Sequence, residues 1–421
     1  MKILYISQYF PPEMGAPAAR ASELSKHWAD AGHDVTVLTG FPNHPTGAVP
    51  AAYRAKFRRL VFRERIDGAN VVRTWLLPFP NRKAYERMLN YTSFFFSAAV
   101  TGLFLSRPDV VIGSSPQLLV ALSAWFLARR KQAPFVFEVR DLWPESLSAV
   151  GVGSSNSLLH RSLTRIVAFL YQQADRVVVV SPAFEDYLVE HWQVPREKIS
   201  IVENGVETQL FSPRSGSDLK RTLGLEEKFV VSYIGTMGLA HGLEAILESA
   251  ASLQHANPRV SFLFVGEGAE KARIVALAKE RCLSNVQFLD QQPRAEIPNY
   301  IAASDACLVL LKKTDVFKTV IPTKMLEFMS CGRPVILGVE GQARSILQES
   351  RAGLTIEPEN ASDLANAICW LTSNPQKCRE FGENGRRYIL GKFSRKKSAE
   401  KYIRELEGTL PPEKTISNVA A

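Results

Sequence analysis

In the segment FKTVIPTKMLEFMSCGRPVILG (317–338), a lysine and a glutamate stand three residues apart behind a proline. Pro322 suits the first position of a helix, and Cys331-Gly332 ahead of Pro334 ends it. Lys324 and Glu327 therefore project from one helix face. The helix N-terminus together with Lys324 would neutralise a diphosphate, and Glu327, one turn deeper, could accept hydrogen bonds from two vicinal ribose hydroxyls. The same spacing also suits an ordinary surface ion pair worth roughly 0.2–0.5 kcal/mol. A second candidate is the turn QYFPPEMGAPAARASEL (8–24), where Gly15 and its neighbouring alanines feed a helix with Pro17 near its start. Such small side chains let backbone N–H groups approach a phosphate or an acceptor, although any αβ domain needs a tight first turn.

Three further positions carry titratable groups. His44 sits in the loop GFPNHPTG (40–47), where a histidine faces either a binding site or solvent. His241 precedes Gly242 at an expected helix start, close to where phosphates would lie. Arg140 and Asp141 follow a strand in EVRDLWPES (138–146), and Asp141 suits either orienting a substrate hydroxyl or capping the next turn. No DxD pair occurs, so no metal-bridged diphosphate, and no other cofactor, is expected.

Strand-like runs must position these residues. In the first half they are KILYIS (2–7), DVTVLT (34–39), ANVVRTW (69–75), DVVIG (109–113), PFVFEV (134–139) and DRVVVVS (175–181). The second series is KFVVSYIG (228–235), VSFLFVG (260–266), NVQFL (285–289), DACLVLL (305–311), RPVILG (333–338) and AGLTIEP (352–358). Several are apolar throughout and alternate with helical stretches, the pattern of parallel sheets covered on both faces. The polar break near 211–228 predicts an α/β protein of two doubly wound, Rossmann-like domains, 1–210 and 211–392. A helix at 393–408 then crosses back to the first domain, and 409–421 forms a tail. Ligands of such sheets bind beyond the carboxyl ends of the strands, so a cleft between the two domains is the expected site.

Bulk properties narrow the partners. The five cysteines form no CxxC pair, which argues against a zinc site or disulfide framework and for a reducing cytoplasm. The apolar stretch 91–105 is broken by threonine, serine and glycine and falls short of the ~18 residues of a spanning helix. A net charge of +9 calls for an anionic partner, an acidic membrane or nucleic acid, or serves solubility alone. No nucleic-acid motif supports the second. Residues 53–65, YRAKFRRLVFRER, hold six basic residues against one glutamate, with aromatics interleaved, and NRKAYERMLNYTSFFF (81–96) repeats the mixture. Both suit the surface of an anionic leaflet, or a solvated basic face whose phenylalanines belong to the core.

Read in order, NGVETQLF (204–211) with Pro213, FLFVGEG (262–268), EIPNYIAASDACLVLL (296–311) and PTKMLEFMSCGRPVI (322–336) resemble successive parts of family 4 retaining glycosyltransferases of the GT-B fold. The opening PPEMGAPAARASELSKHWADAGHDVTVLTG (11–40) resembles that family's first strand–loop–helix–strand. GFPNHPTG, EVRDLWPES and GTMGLAHGLEAIL (235–247) are similar to the O-antigen N-acetyl-L-fucosamine and colanic-acid transferase branch. The resemblance implies a UDP-sugar donor and an undecaprenyl-diphosphate-linked acceptor. It also implies an enzyme peripheral to the inner face of the plasma membrane. Donor-binding positions carried over are Gly15, Gly235, Thr236, His241, Gly266, Thr319, Lys324 and Glu327; acceptor-side positions are His44 and Arg140.

The chain departs from the family in three places. Thr319 stands where many members carry the first of two glutamates, and Thr236 and His241 replace a diphosphate-binding arginine and lysine. Arg140, followed by Asp141, replaces a histidine. Lys324, with Lys318 as a second candidate, would supply the missing charge. The implied chemistry uses no protein nucleophile: Lys324 and helix N-termini stabilise the departing UDP, while Arg140 and Asp141 serve the reacting sugars. A sugar-nucleotide epimerase or a non-catalytic nucleotide-sugar binder would use the same fold. A nicotinamide dehydrogenase is disfavoured by the lack of GxGxxG in the first turn.

Overall fold

A computed structural model describes residues 1–44, 46–80, 83–115, 117–145 and 158–410. The expected tail beyond 410, and parts of the GFPNHPTG, NRKAYER and DLWPES segments, lie outside the described residues. The chain forms two compact units, Met1–Asn204 with Arg395–Ala421, and Gly205–Ser394. The division at Asn204 precedes the position 210 read from sequence, and the polar stretch 211–228 lies wholly inside the second unit.

The first unit holds β1 (Lys2–Ile6), β2 (Asp34–Gly40), β3 (Val61–Ile66), β4 (Ala69–Thr74), β5 (Val110–Ser114), β6 (Phe135–Val139), β7 (Arg176–Val179) and β8 (Ile199–Ile201). Their order is β3-β4-β2-β1-β5-β6-β7-β8, with only the β3–β4 pair antiparallel. Asp67 (φ 46°) and Gly68 (φ 82°) join that pair, the positive-φ geometry of a tight hairpin turn. Strands β3 and β8 were absent from the sequence reading. Arg63, Glu64 and Arg65 hide β3 as a charged run, and β8 is only three residues long.

The second unit holds β9 (Phe229–Ile234), β10 (Val260–Val265), β11 (Val286–Leu289), β12 (Ala306–Leu310), β13 (Val335–Gly338) and β14 (Gly353–Thr355) in the order β11-β10-β9-β12-β13-β14, all parallel. This is the doubly wound order in which the chain reverses direction beside its first strand. The central strands are buried end to end because helices cover both faces; the segment VSFLFV of β10 has no exposed residue.

The first core is closed from the far end of the chain. Trp28, on the helix Ala16–Asp30, meets Tyr402 edge-on at 5.2 Å between ring centroids, and its Nε1 donates to the Ala399 carbonyl at 3.2 Å. Arg395 pairs with Glu23 at 2.8 Å in the same buried layer. Full burial of a side chain such as Leu24 in this core contributes about 1.5–3 kcal/mol. The helix Arg395–Glu407 is thus part of the first unit.

The basic segment 53–65 is neither one helix nor an apolar surface. It forms the short helix Ala51–Phe57 and then β3. Phe57 packs against Phe41 at 5.3 Å, and the Tyr53 hydroxyl donates to Glu64, so these aromatics face the protein. Leu60 and Val61 remain exposed.

Candidate functional site

In the second unit the site forms where β9 and β12 separate, the switch point of the sheet. After Ile234 the chain turns through Gly235 (φ 137°), and the loop after β10 turns through Gly266 (φ 150°) and Gly268 (φ 156°). A Cβ on Gly266 would lie 2.0 Å from the Gly235 carbonyl oxygen, and one on Gly268 2.3 Å from that of Met237. Only glycine permits this backbone-on-backbone contact. It is fastened by Met237 N donating to Glu267 O at 2.8 Å, and Tyr233 OH donating to Thr236 O at 2.6 Å.

His241 closes a short turn, Leu239–His241, ahead of Gly242 (φ 56°) and the helix Glu244–Ala256. Its Nδ1 lies 3.2 Å from the Leu310 carbonyl at the end of β12, so the ring bridges the two diverging strands. Burial, followed by the nearby Lys324 charge, pushes its pKa down to about 3. The ring is therefore neutral. With Nδ1 donating to Leu310, Nε2 is left as an acceptor rather than a cation.

Lys324 is the second residue of the helix Thr323–Ser330, with Pro322 one position earlier than expected, at the cap. Its Nζ sits 4.0 Å from the Tyr233 ring centroid, is buried, and has no hydrogen-bond partner among the described residues. Burial lowers its pKa to about 7, with Glu327 opposing. A Cβ on Gly235 would be 3.5 Å from this amine, so Gly235, Thr236, His241, Gly266 and Lys324 form one cluster. The surface ion pair that the Lys324–Glu327 spacing also allowed is not made as a hydrogen-bonded pair. Buried Glu327 instead accepts from Arg294 Nη1 at 3.0 Å, and that guanidinium lies over the Phe211 ring at 4.9 Å. Thr319 turns its hydroxyl to the Val316 carbonyl at 2.7 Å, and Lys318 pairs with Asp315 at 2.7 Å on the surface. The expectation that Lys318 adds site charge is thereby corrected: its ammonium is engaged elsewhere.

In the first unit Gly15 (φ 132°) caps the helix Ala16–Asp30, and a Cβ there would meet only Pro17, at 3.7 Å. One turn on, Arg20 is fully buried and binds Glu138 of β6 at 2.9 Å. Glu138 also accepts from Tyr5 OH at 2.8 Å and Ser114 Oγ at 2.6 Å. Burial works against its ionisation, but Arg20 and then Arg140 outweigh it, and the carboxyl is held below the usual range. This network fixes the end of β6, from which Arg140 and Asp141 emerge. Arg140 N donates to Ser115 Oγ at 2.7 Å and its Nε is buried without a partner among the described residues. Burial raises Asp141 to about 6, with Arg140 opposing.

His44 is not a solvated loop histidine. Its ring lies 5.0 Å from that of Tyr9, its Nδ1 is buried and without a partner among the described residues, and burial lowers its pKa. Its backbone N–H and that of Asn43 both donate to Glu13 Oε1 at 2.9 Å. Sequence reasoning missed Glu13, whose carboxyl burial raises to about 7 against those two hydrogen bonds and Arg73. It also missed Arg294 and Tyr233, which touch Glu327 and Lys324 from distant segments and carry no local signal.

Two family models match in succession: a glycosyl transferase 4-like domain over residues 15–205 and glycosyl transferases group 1 over 217–388. The chain belongs to this glycosyltransferase family. The transferase is 27% identical to the probable glycosyltransferase WbjE of Pseudomonas aeruginosa over 66% of this chain and 69% of that protein. It is 26% identical to the putative colanic acid biosynthesis glycosyl transferase WcaI of Escherichia coli K12, over 91% of this chain and 96% of that one. The structure of Anabaena HepE in complex with UDP and glucose superposes with a TM-score of 0.72 at 18% identity, over 96% of this chain and 99% of the other. The transferase thus has the GT-B fold, and the family resemblance carried by its motifs holds. Among its described residues no helix is long and apolar enough to cross a membrane.

Proposed function

We propose that the chain transfers a sugar from a UDP-sugar to a saccharide on undecaprenyl diphosphate, in surface polysaccharide assembly at the inner face of the plasma membrane. The observation that carries the nucleotide half is Lys324: a buried amine without a hydrogen-bond partner among the described residues, beside a helix N-terminus and a glycine turn. That is an environment completed by an anion. In this reading the donor diphosphate lies against Gly235, Thr236 and Lys324, with Gly266 allowing close approach and His241 and Thr319 lining the pocket. Glu327 accepts from the ribose hydroxyls. His44, Arg140 and Asp141 serve the acceptor side, where Arg140 and Asp141 orient the reacting hydroxyl.

The bond between the sugar's anomeric carbon and the diphosphate oxygen breaks, and a bond to the acceptor oxygen forms. The acceptor proton leaves with the departing phosphate. Lys324 and the helix N-terminus stabilise the charge that develops there, so no protein nucleophile and no metal is invoked. The motif resemblance favours N-acetyl-L-fucosamine as the sugar, and the colanic-acid name of WcaI supports a polysaccharide product. Incubating the protein with a panel of UDP-sugars and a GlcNAc-diphosphate-lipid tests this. The acceptor should gain the mass of one sugar, with no change in the donor when acceptor is omitted. Absence of transfer from every donor, or acceptor-independent epimerisation, would end the proposal.

Membrane association rests on the helix Ala84–Leu103. Tyr85, Met88, Leu89, Phe96 (62% exposed) and Val100 crowd its outer surface, and Phe104 beyond it is 81% exposed. Basic residues at 54–59 supply charge for an anionic leaflet, at about 1 kcal/mol each near the surface. The protein should sediment with anionic vesicles and release at 1 M salt, where the screening length is about 3 Å. Equal sedimentation with neutral vesicles would remove the electrostatic part.

A further inference from the structure

At the opposite end of the first sheet from the acceptor-side residues, a groove of ≈ 500 Å³ opens over the amino-terminal halves of β1, β2 and β4. That size falls within the ~300–1,000 Å³ of small-ligand sites. Strand register assigns its chemistry. Leu4 pairs with Thr36, Thr36 with Asn70, and Asn70 with Arg65, so these four share one face of the sheet. Arg63 stands opposite Val72 on that same face. Leu4 and Val72 are buried within the groove, whereas Arg63 and Arg65 are exposed at it.

The charge balance is cationic. Of the acids lining the groove, Glu64 turns its carboxylate away to Arg73 and the Tyr53 hydroxyl, and Asp34 accepts from Asn70 Nδ2 at 3.2 Å. Neither Arg63 nor Arg65 has an ion-pair partner among the described residues. The apolar wall is continuous with an exposed ridge: Phe96, Val100, Leu103 and Phe104 fall at helical spacing on one stripe, and Phe104 itself lines the groove. A water-soluble anion would use the arginines and leave the ridge idle. A lipid uses both.

We propose that this groove seats one anionic phospholipid, its phosphate at Arg63 and Arg65 and its upper acyl chain against Leu4, Val72 and Phe104. The inference rests on the membrane reading above and adds to it a discrete site, remote from the transfer chemistry.

Dihexanoyl-phosphatidylglycerol, kept below its micellar concentration, is the probe for calorimetric titration into the full chain. Saturable one-to-one binding is expected, reduced at least about tenfold in the double variant Arg63→Ser, Arg65→Ser. Inorganic phosphate at the same concentration should not compete. Both arginines are exposed, so the variant should keep its Tm and donor kinetics. Absence of saturable binding, undiminished binding by the variant, or full competition by inorganic phosphate would overturn the site. A protein that sediments with anionic vesicles yet ignores the short-chain lipid would lose the groove and keep the membrane reading. One that binds neither would lose both.

Discussion

Arg294 Nη1 donates to Glu327 Oε1 at 3.0 Å, so the carboxylate assigned to the donor ribose is held by a cation from a different loop. The pair orients Glu327 although the residue is only 8% exposed. Glu327→Ala should remove charge-assisted hydrogen bonds worth roughly 1.5–3 kcal/mol, lowering kcat/KM for the donor about 10- to 150-fold. Arg294→Ala should lower it less, since the carboxylate remains but loses its anchor. Unchanged donor kinetics in a folded Glu327→Ala protein would reduce the pair to a structural ion pair.

Lys324 predicts a pH dependence of donor binding. The free amine loses its proton near pH 7, because burial disfavours its charge. A diphosphate alongside must raise that pKa, so binding takes up a proton wherever the free amine is neutral. Affinity for a UDP-sugar should be level below about pH 7 and fall by up to tenfold per pH unit above it. Calorimetry in two buffers of different ionisation enthalpy would register the uptake directly. An affinity flat from pH 6 to 9 would contradict this placement.

Asp141 is expected to act on turnover rather than on nucleotide affinity, because it lies in the first unit and the cluster proposed to hold the nucleotide in the second. Asp141→Asn should slow transfer while UDP affinity, measured by calorimetry, stays within about twofold. The native carboxyl holds its proton to about pH 6 rather than 3.8. Its ionisation therefore costs stability as pH rises through that window, a slope the asparagine variant should lack. Loss of UDP binding together with rate would refute the assignment.

The sequence revealed those parts of the molecule whose signals are local. All six strands of the second sheet are apolar runs between turn formers, and the Lys324–Glu327 helix announces itself through Pro322 and Gly332. Strand β3 was illegible because Arg63, Glu64 and Arg65 read as a charged surface, whereas alternate side chains serve opposite faces of an edge strand. Glu13 was missed for a different reason. Its burial depends on accepting the N–H groups of Asn43 and His44, thirty residues onward, and nothing in PPEMG foretells that contact. His44 was read as facing either a binding site or solvent for want of the same information.

The helix Arg395–Glu407 has a consequence for biogenesis. Trp28 and Glu23 find their partners on residues made after the whole of the second unit, so the first unit cannot finish its core while the ribosome is still reading Gly205–Ser394. Gly205–Ser394 is by contrast contiguous and can fold as it emerges. At about 5–20 residues per second, that span takes roughly 10–40 s to synthesise. Throughout this interval the β1–β2 layer waits with the Trp28 side uncovered, a natural stretch for chaperone occupancy. A premature stop just before Arg395 would therefore cost the enzyme the core of its first unit, although residues 1–204 had already been made.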